Sequence, residues 1–390
     1  MCIEFNVLSL CRVIIMSWPI PEIPSLRVVA PVRYGVWGII LLLMLTIGTG
    51  IALMLIEPPD FLQVVLHGSL PAFFGWLMLF GAALNRYERF CTASQAWEAA
   101  SEETHFQWQQ WSRKQLAVVG NVILTPEPQG IAPLLGEQKN IPAFPDTGRA
   151  LSVPSMDFRQ LLAQVDQDFE QQCPGYRQLL HTIYLADVPS TDLFHDSECV
   201  QQLWGMAPTQ IEHREAITSL YDKAAFEGLI MVIACQCWPV TGGKKAYSEF
   251  LSAQLFSSTA FAAQKKLNIL AGMGRELPSV PQEIKKDFKM LFEYNRIDKS
   301  NMRHLWVTGV SQDALTELMM EGHDSPFHFA PENPVHLIDR TFGPPGPLSV
   351  FLASAMLTEA VGLTNSDHII INQLPEGNAI LYLMTKELHL

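Results

Sequence analysis

Two uncharged apolar runs, Tyr34–Ile56 and Phe61–Leu84, stand near the start of the chain with only Glu57-Pro58-Pro59-Asp60 between them. A helix needs about 20 apolar residues to cross a hydrocarbon core, and each run has that length. Neither Pro58 nor Pro59 has an N–H to donate, and each restricts the residue before it, so a break is predicted there. Two long runs back to back do not fit the single short apolar core of a cleavable signal peptide. The pattern predicts a membrane-inserted helical hairpin over 33–85. A buried helical pair in a soluble protein is the competing reading, and run length disfavours it. Gln63, His67 and Pro71 lie in the first half of the second run. Close to the interface, the polar pair is expected to snorkel or to pack the hairpin rather than relay protons.

Either side of the hairpin the pattern changes. Pro19, Pro21, Pro24 and Pro31 exclude a long helix in the leader 1–32, where Met16-Ser17-Trp18 offers a second candidate start. Residues 86–114 keep a helical composition, with Trp97, Trp108 and Trp111 among Glu, Gln and Ser, and are predicted to continue the second span as a membrane-proximal helix. Leu116–Leu124 then reads as a first strand, and 125–155, rich in Pro and Gly, as a surface loop.

Beyond that loop, helices and strands alternate. Helices are predicted at Asp157–Glu170, Ser197–Trp204 and Thr209–Ala225, and strands at Thr182–Asp187 and Leu229–Trp238. The latter is almost wholly apolar, as a strand covered on both faces should be. Glu249–Ser257 is read as a strand paired with it across Val240-Thr241-Gly242-Gly243. A charged, partly helical link over 264–301 separates two halves, about 115–263 and 302–390. In the second half, strands are predicted at Leu305–Val310 and Val335–Asp339, and helices at Gln312–Met320 and Pro347–Val361. A closing hairpin, His368–Gln373 and Ala379–Met384, ends the chain. In each half a helix is followed by an apolar strand, a Gly-containing turn and a second strand. The fold class is therefore α/β: a transmembrane helical hairpin followed by a duplicated β-α-β-α-β-β domain over 115–390.

Charge orients the hairpin. Arg27 and Arg33 precede it, Arg86 and Arg89 follow it, and the turn carries only Glu57 and Asp60, which predicts cytoplasmic termini and two spans of the inner membrane. Basic and acidic residues balance over 1–90, so the formal charge of −13 belongs to the C-terminal part. An acidic domain repels phosphate backbones, which excludes nucleic acid as the expected partner, and holds itself off anionic lipid. The seven cysteines are odd in number and irregularly spaced, which argues against a disulfide framework. Cys235-Gln236-Cys237 lacks the C-x-x-C spacing, and its thiols are expected to share one strand face as small apolar packing.

The duplicated unit resembles the thiolase-like fold of thiolases and β-ketoacyl synthases over about 115–390. Trp306-Val307-Thr308-Gly309-Val310-Ser311 resembles the strand and turn opening that family's second half. Asp339-Arg340-Thr341-Phe342-Gly343-Pro344-Pro345-Gly346 stands where those enzymes carry a glycine-rich turn with a catalytic histidine, and Ile369–Met384 resembles their closing hairpin. The resemblance implies a nucleophilic cysteine at the N-terminus of a buried helix, where the helix dipole favours the thiolate. The matching helix begins near Ala207-Pro208-Thr209 without a cysteine; Cys235 and Cys237 fall on the strand after it. The glycine-rich turn offers Asp339 and Thr341 in place of histidine, and the nearby His323, His328 and His336 are not at matched positions.

These departures predict a non-catalytic relative. The layout also resembles accessory proteins encoded with bacterial type VI secretion systems, including the lipase-adaptor group. That implies an adaptor recruiting a protein partner, such as a secretion effector or machinery component, with a homodimer also compatible. The alternative is an enzyme acting on acyl chains or lipids through Asp339, Thr341 and His336.

Other chemistry is thin. Gly322-His323-Asp324-Ser325-Pro326-Phe327-His328 with His336 is the one histidine-rich stretch, and its spacing in a Pro-rich loop fixes no metal geometry. No metal or cofactor is predicted. No G-x-S-x-G elbow, phosphate-binding P-loop, dinucleotide fingerprint or H-E-x-x-H pair occurs. Thr241-Gly242-Gly243-Lys244-Lys245 reads as an exposed hairpin turn.

Overall fold

The computed structural model of the chain describes residues 18–21, 23–24, 30–56, 60–136, 141–152, 157–187, 193–211, 214–223, 226–238, 245–280, 283–295, 302–310, 335–374 and 377–388. The turn at 57–59, the turn at 239–244, the helix expected at Gln312–Met320 and the stretch holding His323, Asp324 and His328 lie outside them, as does most of the leader. The chain divides into two compact units: Ile20–Trp108, and Met1–Pro19 with Gln109–Leu390.

The first unit is built on the two apolar runs. Helix α1 is Tyr34–Leu55 and helix α2 begins at Phe61 and continues to Ser112; both are long and apolar enough to cross a membrane. The helices approach through small residues. A Cβ on Gly48 would stand 2.7 Å from the Gly68 carbonyl oxygen and 2.8 Å from Ala72 Cβ, so glycine is required there. Thr49 and Ser69 share a hydroxyl hydrogen bond of 3.0 Å across this seam, and Trp76 Nε1 donates to the Trp37 carbonyl at 2.9 Å. The outward flanks stay apolar and exposed, Met54 at 85% and Phe61 at 83%. Val65–Ser69 forms a π turn separated only by Leu70 from Pro71, which lacks the N–H an α-helix needs there; the wider turn accommodates the ring.

Among its described residues the second unit is built on one sheet of eleven strands. Its first half contributes β1 (Gln115–Leu124), β2 (Leu180–Asp187), β3 (Thr209–Gln210), β4 (Leu229–Gln236) and β5 (Phe250–Ser258). Its second half contributes β6 (Ala271–Gly274), β7 (Leu277–Ser279), β8 (Met302–Thr308), β9 (Val335–Leu337), β10 (Asp367–Gln373) and β11 (Ala379–Thr385). The order is β3-β2-β4-β5-β1-β6-β11-β10-β8-β9, with β7 beside β11.

The duplication is visible in that order. In the first half β2 is parallel to β3 and β4, while β5 runs antiparallel to both β4 and β1. In the second, β8 is parallel to β9 and β10, while β11 runs antiparallel to both β10 and β6. Antiparallel pairing of β1 with β6 joins the halves, Leu116 opposite Met273. Residues 264–301, read from sequence as a link, therefore supply two strands of the sheet. The apolar run Ile269-Leu270-Ala271 is too short to announce them.

Both faces of the sheet are covered. In β4, Ile230, Val232 and Ala234 face one core, while Leu229, Met231, Ile233 and Cys235 face the other, the period-2 partition of a doubly covered strand. The second core is closed by the helices Phe158–Gln172 (α3) and Leu193–Trp204 (α4). Asp157 caps α3 with a full capping box to Gln160, which fixes its start where the sequence places it. The first core is filled by Ser349–Thr364, buried at twelve of its sixteen positions. The short helices Thr259–Lys265 (α5), Ile284–Asn295 (α6) and Ile338–Phe342 (α7) precede it, so it is α8.

The helix expected at Thr209–Ala225 is absent from the described part of that span. Thr209–Gln210 pairs with β2, and only the turn Glu215–Thr218 and the 3-10 turn Ser219–Tyr221 are helical. Tertiary contacts override the helical periodicity. Tyr221 Oη donates to the backbone of β6 at 2.9 Å (Gly274), and the neighbouring Arg214 is drawn into the core.

Candidate functional site

The glycine-rich turn after α7 lies over the end of β4. Gly343 has φ +84°, a conformation that favours glycine, and a Cβ there would meet the Thr147 carbonyl at 2.5 Å and Ser248 Oγ at 2.6 Å. A Cβ on Gly346 would overlap the Gln236 side-chain amide. Gln236 fills the turn: its Nε2 donates to the Ser248 carbonyl at 2.8 Å and its Oε1 accepts from Leu348 N–H at 3.1 Å. Gln236, Ser248, Thr308, Asp339, Ser349 and Leu352 are among the residues lining the remaining cavity of about 10 Å³, room for one water.

The three residues singled out by the enzyme reading make their hydrogen bonds in three different places. Asp339 accepts from Thr308 Oγ1 at 2.6 Å and from Gly309 N–H, so it closes the end of β8. Burial pushes its carboxyl up, against the lowering effect of those two donors. Thr341 donates to the Pro142 carbonyl at 3.0 Å, and Arg149 Nη1 donates to the Thr341 carbonyl at 3.0 Å. His336 turns instead toward His304, whose ring stacks on His368 at 5.0 Å; sequence reasoning missed both His304 and His368.

These imidazoles form a ladder across three adjacent strands. His304 stands opposite His368 in the β8–β10 register, and Trp306 stands opposite His336 in the β8–β9 register. Trp306 Nε1, which only donates, lies 2.9 Å from His368 Nδ1, so that nitrogen accepts and Nε2–H donates to Thr364 Oγ1 at 2.6 Å. His336 Nδ1 lies 3.0 Å from the Leu134 carbonyl and must donate to it. Its Nε2 then accepts from His304 Nδ1 at 2.9 Å. Burial, then the neighbouring His304, pulls His336 down to about 4. The same two effects, with His336 adding to them, hold His368 well below its usual range. The visible signal was the i, i+2 pair His304 and Trp306 on an apolar strand, matched by His368 at the start of the closing hairpin. Among the described residues, no group of three or more His, Cys, Asp or Glu side chains is placed to hold a metal ion.

The crossover between β3 and β4 is sealed by a buried ion pair. Arg214 Nε lies 2.7 Å from Glu276 Oε1, with both side chains under 10% exposed (4% and 7%). Arg214 Nη1 donates to the Val350 carbonyl in the first turn of α8 at 3.1 Å, and its guanidinium lies 5.3 Å from the Tyr382 ring centre. Glu276 Oε2 accepts from Thr218 Oγ1 at 3.3 Å. The crossover contains no cysteine. A separate open depression of about 500 Å³ lies along Asn121–Leu124 of β1, with Gln164, Asp168, Gln172 and Glu359 on its walls.

Solved structures with this chain path include a chain of the type II polyketide synthase assembly AntDE:AntF, an acyl-carrier protein in complex with its ketosynthase bound to the hexaketide. It matches 70% of this chain and 100% of its own length, with a TM-score of 0.51 and 11% identity. Two others are a Streptomyces albus oxazolomycin ketosynthase domain (71% and 96%, TM-score 0.49, 9% identity) and human mitochondrial 3-ketoacyl-CoA thiolase with CoA (71% and 99%, TM-score 0.47, 8% identity). The domain has a thiolase/ketosynthase-like fold. No family model matches the chain, and no curated protein matches it by sequence.

Proposed function

We propose that this protein is a membrane-anchored, non-catalytic scaffold whose thiolase-like domain recruits a protein partner. The observation that carries this reading is the β3–β4 crossover. Where the fold's enzymes are expected to present a nucleophile on a buried helix, the described residues of this crossover form two short helical turns with the buried Arg214–Glu276 pair, and its sequence has no cysteine. The closed glycine-rich turn supports the same reading, because a cavity of about 10 Å³ admits no acyl thioester. Anchoring rests on the two helices long and apolar enough to span a bilayer, with the flanking arginines setting cytoplasmic termini. An acidic domain favours a basic partner through electrostatic steering, and the resemblance of its layout to type VI secretion accessory proteins makes a secretion effector the first partner to seek.

The test is reconstitution of the full-length protein in lipid nanodiscs, incubated in parallel with extract of its own cells and with acyl-CoA thioesters. One stoichiometric protein partner and no protein-dependent thioester turnover is the expected result. Turnover, or recovery of bound acyl chain without any protein, overturns the scaffold reading.

A further inference from the structure

The pair Cys235 and Cys237 is not absorbed by the scaffold reading. Alternation along β4 puts both thiols on one side, with Gln236 pointing the other way. Their sulfurs lie 3.4 Å apart. A disulfide needs about 2.05 Å between sulfurs, so roughly 1.4 Å of approach closes the bond. The backbone can supply it, because the β4–β5 ladder ends at Gln236 opposite Phe250 and Cys237 lies just beyond. Access is ordered as well: Cys235 is 2% exposed, while Cys237 is half-buried and meets solvent first.

We propose that Cys235 and Cys237 are a redox-active dithiol that takes a low-molecular-weight disulfide as its oxidant, and that closure loosens the grip of Gln236 on the start of α8. The Cys237 thiolate attacks one sulfur of the oxidant, forming a mixed disulfide and expelling the first thiolate, which takes the proton Cys237 gave up. Cys235 then attacks Cys237 Sγ, forming the internal disulfide and releasing the second thiolate, protonated at the expense of Cys235. Two protein thiols are oxidised to one disulfide and the oxidant is reduced to two thiols.

The coupling follows from position. Gln236 lies between the two cysteines, and its amide is held by Leu348 N–H and the Ser248 carbonyl against Gly346, with no space to spare. Drawing the flanking Cα atoms together rotates the backbone of Gln236, and the side chain cannot follow within that slot.

The experiment uses the full-length protein in detergent, equilibrated over a series of reduced and oxidised glutathione ratios, quenched with an alkylating agent and mapped by peptide mass. With rising glutathione disulfide, the peptide carrying both cysteines is expected to lose both alkyl groups and to appear two hydrogens lighter than the free dithiol peptide. The C235S variant should stop as a stable glutathione adduct on Cys237, and C237S should resist oxidation at Cys235. Hydrogen exchange at the Leu348 amide should quicken at least tenfold on closure and recover on reduction. Two alkyl groups at every ratio, or a wild-type adduct on Cys237 that never closes, overturns the dithiol. Closure with unchanged exchange at Leu348 overturns the coupling.

Discussion

Acidification from pH 7 to pH 5 should selectively weaken the half of the sheet that carries the imidazole ladder. His336 titrates near 4 in the folded chain against an ordinary 6.5, so its folded pKa is depressed. Its stabilising contribution is present above about pH 6.5 and is lost as pH falls, because the unfolded chain binds a proton that the folded chain refuses. Over this window the loss is about 2 kcal/mol for His336 alone. His368 acts in the same direction, since a proton on Nδ1 would face the Trp306 N–H head-on. Asp339 and Glu359, whose carboxyls burial pushes up, act in the opposite direction, so the wild-type profile alone does not isolate the ladder. The assay is therefore a comparison: urea unfolding of the detergent-solubilised protein and of H336Q at both pH values, followed by near-ultraviolet circular dichroism. The variant should be less stable at pH 7, having lost the bond to Leu134, but its decline to pH 5 should be shallower by about 2 kcal/mol. Equal declines in the two proteins would falsify the argument that this histidine is held neutral.

Removing one member of the buried ion pair should cost more than removing a surface charge. E276Q leaves the Arg214 guanidinium without its counter-charge and should lower unfolding free energy by roughly 3 kcal/mol, whereas a drop below about 1 kcal/mol would mean that water reaches the crossover. G346A forces a methyl group onto the Gln236 amide, and about 2 kcal/mol of destabilisation is expected; a thermal midpoint equal to wild type would refute the close packing. In the helical hairpin, cysteines introduced as T49C and S69C should crosslink within one molecule, and adding G48V should abolish the crosslink by pushing the helices apart. Persistent crosslinking in the triple variant would show that the seam is not at Gly48.

The sequence by itself determined the elements whose signals are local. Run length and polarity marked both apolar helices, composition marked α3, and short apolar runs bounded by turn residues marked β1, β4, β5 and the closing hairpin. The duplicated order of strands, and with it the thiolase-like fold, was legible for the same reason. Only the tertiary structure decided what depends on distant partners. The sequence reads as a helix over 209–225, yet Arg214 pairs with Glu276 and Tyr221 with the β6 backbone, and the described part of the segment forms the short strand β3 and two turns. The strand β6 exists because β1 offers it an edge, not because Ala271–Gly274 has strand character of its own. His304, His336 and His368 are separated by 32 residues in each step along the chain and become neighbours only through parallel register. The contact between Cys235 and Cys237 was implicit in their spacing, but the wedge of Gln236 against Gly346 was not. Periodicity reports which face a residue shows; it carries no record of what will be packed against that face.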